Sequence, residues 1–196
     1  MTQKTSALIG SRICHDLISP IGAIGNGLEL LGMTLGNNSP EMSLIEDSVN
    51  NANARIKFFR IAYGQASAGQ QVGRNELLSV LSGLAYGGRF TYVWQPQDDV
   101  DRLDVRIAFL ILQCFETALP LGGEIEINRS DAGWSLVARG RRVNLEPRLW
   151  DLLTANDPDP DVGASEVQFA LLPDVMAHAG KSLHYTHADD HISVTF

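Results

Sequence analysis

The run Arg12-Ile13-Cys14-His15-Asp16-Leu17-Ile18-Ser19-Pro20 sets a histidine beside an acid in a stretch of helical pattern. With an ordinary pKa of about 6.5, the imidazole is largely neutral near pH 7, which leaves one ring nitrogen available as a nucleophile or proton acceptor. Asp16 admits two readings. It can accept a hydrogen bond from one ring nitrogen and so fix the tautomer, or it can be a solvated neighbour. Arg12, one helical turn earlier, is the only strong cation beside the histidine.

The elements that must hold this histidine follow from hydrophobic spacing. Cys14, Leu17, Ile21, Ile24, Leu28, Leu31 and Leu35 alternate steps of three and four, the seam of a helical bundle. His15, Ser19, Gly22, Asn26 and Glu29 repeat the same spacing about 200° away, so the spacing predicts a polar and small-residue stripe that faces water or a partner. Gly36 to Pro40 reads as a helix stop and restart, with Ser39 as N-cap and Pro40 at the first helical position. Met42, Ile45, Val49, Ala52, Ile56 and Phe59 then form a second seam. Two long helices with one apolar seam each cannot cover themselves well. A second copy supplies the remedy, so a homodimeric four-helix bundle is expected.

His15-Asp16-Leu17 followed by Pro20 resembles the H-box of sensor histidine kinases, found in their dimerisation and histidine-phosphotransfer domain. The proline is expected to bend the first helix just past the histidine. Beyond a small, polar linker at 66–73 the pattern changes, dividing the chain into a hairpin domain, 1–68, and a second domain, 73–196. In the second, Asn75–Tyr86, Val105–Leu119, Pro147–Thr154 and Ser165–His178 read as helices. Phe90–Trp94, Glu124–Asn128, Trp134–Arg139, Leu183–Tyr185 and Ile192–Phe196 read as strands, with a turn at Asp131-Ala132-Gly133. The expected fold is α+β, ending in an α/β sandwich with helices on one face of a mixed sheet. Its element order resembles the ATP-binding domain of histidine kinases.

Kinases of that family hold nucleotide with a magnesium-ligating Asn, a D-x-G-x-G adenine motif and a glycine-rich lid. Here no Asn occurs from Glu76 to Ile127, and only Gln113 and Thr117 offer polar candidates on the corresponding helix. Asp131-Ala132-Gly133 lacks the second glycine. Ala138 to Arg142 stands where the adenine motif is expected, and Gly163 alone follows the acidic loop Asn156 to Asp161. The nucleotide site reads as lost.

A kinase-shaped chain with a phosphoacceptor histidine and no ATP site resembles the ChpT-type histidine phosphotransferases. That resemblance implies a phosphotransferase, with His15 and Asp16 at the reacting centre, accepting phosphate from the receiver domain of a hybrid histidine kinase and passing it to response regulators. It implies receiver docking along Arg12, Ile18, Ser19, Gly22, Ala23 and Asn26, with Ile18 as an exposed apolar anchor. No cofactor or metal of its own is expected, because Mg²⁺ comes with the partner receiver. Gly22, Gly25 and Gly27 cost roughly 1 kcal/mol each relative to alanine within a helix. Either they let a receiver helix approach closely or they serve close packing inside the bundle.

Two other functions fit the residues: an active kinase with an unorthodox nucleotide site, or a non-catalytic adaptor or inhibitor docking on a kinase or receiver. His178, His184, His187 and His191 match no standard metal-ligand spacing and read as solvated. Arg139, Arg141 and Arg142 read equally as exposed charge or as a contact for an acidic surface. A net charge of −8 argues against nucleic acid. With no signal peptide, no membrane-spanning apolar run and only Cys14 and Cys114, a cytoplasmic protein is expected.

Overall fold

The computed structural model describes residues 17–18, 21–33, 40–67, 69–154 and 161–196. The chain divides into two compact units. One comprises Met1–Ala66 with Asn75–Gly88, and the other Ser67–Arg74 with Arg89–Phe196.

In the first unit, residues 21–33 are helical (α1), as are 17–18, and α2 spans Pro40–Ala62. The expected stop at Gly36 and cap at Ser39 lie outside the described residues, while α2 does begin at Pro40. A third helix, α3, spans Arg74–Ala85. It lies against α2 so tightly that a Cβ on Gly83 would stand 2.6 Å from the Cβ of Ala54. Arg60 Nη2 reaches Glu76 Oε1 at 3.4 Å, and the Asp47 carboxylate beside Tyr86 pushes that hydroxyl's pKa upward. These contacts bury a face of α2 that the seam reading did not anticipate. Ala54, Phe58, Ile61 and Ala62 are buried, whereas Ala52, Ile56 and Phe59 of the expected seam are half-exposed. The reason is positional: the buried set sits two residues off the seam, about 200° around the helix, where α3 packs.

The second unit is built on a five-stranded mixed sheet ordered β2-β4-β5-β7-β6, comprising β2 Phe90–Trp94, β4 Gly123–Ser130, β5 Gly133–Arg139, β6 His184–His187 and β7 His191–Thr195. The β2–β4 pair is parallel and the rest are antiparallel. The turn at Asp131-Ala132 closes β4 onto β5, with Gly133 at φ 116°. Two short strands, β1 Gln71–Val72 and β3 Val100–Asp101, pair within and beyond the expected linker. At two residues each they carry no period to read. Helix α4, Arg102–Ala118, is N-capped by Asp101, whose side chain accepts from Leu103 N at 2.8 Å. It lies under α6, Val167–Ala179, and α5 is Pro147–Leu152. Alternate residues Ile125, Ile127, Leu136, Ala138, Ile192 and Val194 are buried, so one sheet face forms the core. Asp104 joins three elements, accepting from Trp134 Nε1 at 3.0 Å and pairing with Lys181.

Candidate functional site

His15, Asp16, Arg12 and Ser19 lie outside the described residues, so the site is built from the helix that follows them. On α1, Gly25 faces α2: a Cβ on it would stand 3.5 Å from Val49 Cγ1. Ile18, expected to be exposed, is half-buried, and its neighbour Leu17 is the open one, at 45% exposure.

Because α2 takes this flank, the heptad seam of α1 is only partly covered. Ile24 and Leu31 are 49% and 46% exposed, and Ile45 on α2 is 47% exposed. Leu28 and Val49, each 9% exposed, are the seam residues that the hairpin buries by itself.

The polar stripe does not stand alone in solvent but borders α2. Gly22, Asn26 and Glu29 form one wall of a groove of about 660 Å³, and Glu46, Asn50 and Asn53 of α2 form the other, with Gly25, Leu28, Gly32, Met33 and Val49 completing it. Ala23 is exposed and lies outside this lining. Three groove residues, Glu46, Asn50 and Asn53, went unread in the sequence. Polar residues beside a strong heptad look like ordinary solvated positions, and only the pairing of helices turns them inward.

The glycines of α1 can be compared with Gly83, which has no room for a side chain. A Cβ on Gly22 or Gly27 would meet nothing within 4 Å, and the one on Gly25 would make an ordinary contact. Among the described residues, packing therefore requires none of the three to be glycine.

Toward the C-terminal end of α4, polar and aromatic side chains engage residues of α5, α6 and β6. Gln168, 2% exposed, donates from Nε2 to Thr117 Oγ1 at 3.1 Å and to the Ser165 carbonyl at 3.2 Å. Trp150, 1% exposed, stacks on Phe115 of α4 with centroids 6.3 Å apart and also packs against Phe169 and Tyr185 at 5.9 and 5.0 Å. Aromatic rings thus fill the space where α5 and α6 meet α4. Arg148 donates to Glu146 Oε1 at 3.1 Å, the Asp161 carbonyl at 2.8 Å and Glu166 Oε1 at 2.9 Å. The hydrogen bond from Gly163 N, then Arg148, holds the Glu166 carboxyl below its ordinary pKa.

Among the histidines of the second unit, His178 Nδ1 bonds the Asp174 carbonyl at 2.7 Å and His191 Nδ1 bonds Asp190 Oδ1 at 2.7 Å. Arg139 reaches Glu126 Oε2 at 3.4 Å. No described helix is long and apolar enough to cross a membrane.

A family model for the histidine phosphotransferase C-terminal domain matches residues 74–191. The protein phosphotransferase ChpT of Brucella abortus (strain 2308) is 33% identical over 191 residues, spanning 93% of this chain and 91% of that one. A solved bacterial phosphotransferase superposes with a TM-score of 0.64 at 30% identity, covering 94% of this chain and 92% of its own. The chain belongs to the ChpT-type histidine phosphotransferases, and its activity is phosphotransfer.

Proposed function

We propose that the chain carries phosphate on His15 between two receiver domains of a multistep phosphorelay. The observation that carries this reading is the family match along nearly the whole chain, in a sequence whose one H-box-like run is Arg12 to Pro20. A neutral imidazole nitrogen of His15 attacks the phosphorus of a receiver's aspartyl phosphate. The N–P bond forms as the P–O bond to the aspartyl carboxylate breaks, and the carboxylate leaves with the electron pair. Asp16 holds the other ring N–H. Transfer to the aspartate of a response regulator reverses these bonds. The receiver brings the Mg²⁺ that neutralises the phosphoryl oxygens, so the carrier needs no metal.

Three observations support the finer parts. The exposed seam at Leu17, Ile24, Leu31 and Ile45 fits a homodimeric four-helix bundle, in which a second copy covers it. Glycines that packing among the described residues does not require fit a helix face kept open for a docking receiver, with Arg12, Ile18, Ser19, Ala23 and Asn26 around it. The Trp150 and Gln168 contacts fit a sandwich domain that has given up nucleotide, and hence a carrier without ATP-dependent kinase activity.

The test uses a receiver domain of a hybrid histidine kinase from the same organism, charged with labelled phosphate and mixed with wild type or His15→Gln. Acid-labile label on wild type alone, and none from ATP, is expected. Label on His15→Gln, or on wild type from ATP, overturns the reading.

A further inference from the structure

One turn past the groove, the wall that α2 supplies continues into a cation. Glu46, Asn50 and Asn53 line that wall in steps of four and three. The next step of four arrives at Lys57, which is exposed. Its own helix offers it no acid, since the residues three and four positions away are Asn53, Ala54, Arg60 and Ile61. Among the described residues none forms an ion pair or hydrogen bond with Lys57, whereas Arg60, the next cation along α2, reaches Glu76 Oε1 of α3 at 3.4 Å. Because α1 and α2 run antiparallel and Gly25 faces Val49, Lys57, eight residues beyond Val49, comes level with Leu17, eight residues before Gly25. In sequence His15 stands two residues before Leu17, about 3 Å of helical rise. It also heads the polar stripe whose members Gly22, Asn26 and Glu29 form the α1 wall of the groove.

We infer that Lys57 binds the phosphoryl group while His15 carries it. The inference rests on the phosphocarrier reading above. The lysine ammonium, a compact charge on a flexible four-carbon stem, pairs with the phosphoryl oxygens, where the negative charge of the transferring group is spread. The receiver neutralises those oxygens with its own Mg²⁺ only while it is docked. Between the two transfers the charge has to be met by the carrier, and Lys57 is a cation at the right height with no partner of its own to give up. It forms no covalent bond and moves no proton, so the exchange of P–O for N–P bonds is the one written above. A group that holds the phosphoryl oxygens, and not the receiver, acts on the rate of the chemical step and on the position of equilibrium.

The experiment measures transfer from a phosphorylated receiver domain of a same-organism hybrid kinase to wild type, Lys57→Gln and Lys57→Arg, recording kcat, KM and the share of label on the carrier at equilibrium. Lys57→Gln is expected to lower kcat about tenfold and to move the equilibrium about tenfold toward the receiver, the loss of one charged hydrogen bond, with KM unchanged. Lys57→Arg keeps the charge and is expected to restore most of both. Circular dichroism checks that the variants fold, and Lys57→Met, which keeps most of the stem, carries the test if the glutamine variant does not. Unchanged kcat and equilibrium in a folded variant overturn the inference, as does a loss confined to KM, which makes Lys57 a docking contact only. If that happens while His15→Gln still abolishes labelling, the phosphocarrier reading stands without it. If wild type takes no label from any receiver, both fall.

Discussion

Helix α4 buries 11 of its 17 residues, among them Ile107, Phe109 and Leu110, each at 0% exposure. Helix α2 buries five of 23, four of them on the side that meets α3. The sheet unit closes its core with its own strands and helices, whereas the hairpin leaves Leu17, Ile24, Leu31 and Ile45 nearly half-exposed. Surface left unfinished in this way costs stability in an isolated chain. It fits the proposed reading, in which a second copy would cover the seam and a receiver would dock beside it. The sheet unit packs Phe115, Trp150, Phe169 and Tyr185 against one another where α4, α5, α6 and β6 meet.

The largest expected effect tests the self-sufficient half. Phe109→Ala should destabilise the protein by about 3–5 kcal/mol, because it deletes a fully buried ring and leaves a cavity. Urea unfolding followed by tryptophan fluorescence reports it, through Trp94, Trp134 and Trp150. The dependent half answers differently. Ile24→Ser with Leu31→Ser should convert the protein from dimer to monomer in sedimentation at micromolar concentration while leaving the fluorescence of the sheet unit unchanged. Those side chains are already half-exposed within one chain, and the proposed dimer would complete their burial.

A smaller effect separates folding from function on α1. Gly22→Ala and Gly27→Ala should each raise the stability of the helix by roughly 1 kcal/mol, since alanine is the better helix former and nothing lies within 4 Å of the new methyl group. Phosphotransfer should slow at Gly22, which lines the groove, more than at Gly27, which does not. A thermal melt beside a transfer time course reads both. The smallest effect lies in the sheet unit's exposed clasp. The Gly163 N–H and then Arg148 lower the pKa of Glu166, so the folded state favours its ionised form. Its contribution is fully present above the ordinary carboxylate pKa of 4.5 and is lost as pH falls through the lowered native value. The difference in melting temperature between wild type and Glu166→Gln should shrink over that acid range.

Much of the fold could be read from spacing alone. The long helices, the turn at Asp131-Ala132 and the strands from Phe90 onward each carry a period or a turn signal. Strands β1 and β3 escaped because two residues have no period. The second apolar face of α2 escaped because Ala54, Phe58, Ile61 and Ala62 are explained only by α3, a helix that lies beyond the expected linker. In the site, Gly22 and Asn26 were legible as a stripe, but the opposite wall of Glu46, Asn50 and Asn53 was not. A polar residue next to a heptad seam looks the same whether it meets water or a groove.

The central claim is that His15 stores and then surrenders the phosphate. It is tested most directly by a chase: the protein is loaded with labelled phosphate from a charged hybrid-kinase receiver, separated from it, and mixed with response-regulator receivers of the same organism and Mg²⁺. The account predicts acid-labile, base-stable label on wild type, none on His15→Gln, and its movement within the chase to one response regulator. Label that is indifferent to the loss of His15, or that no receiver can remove, would contradict it.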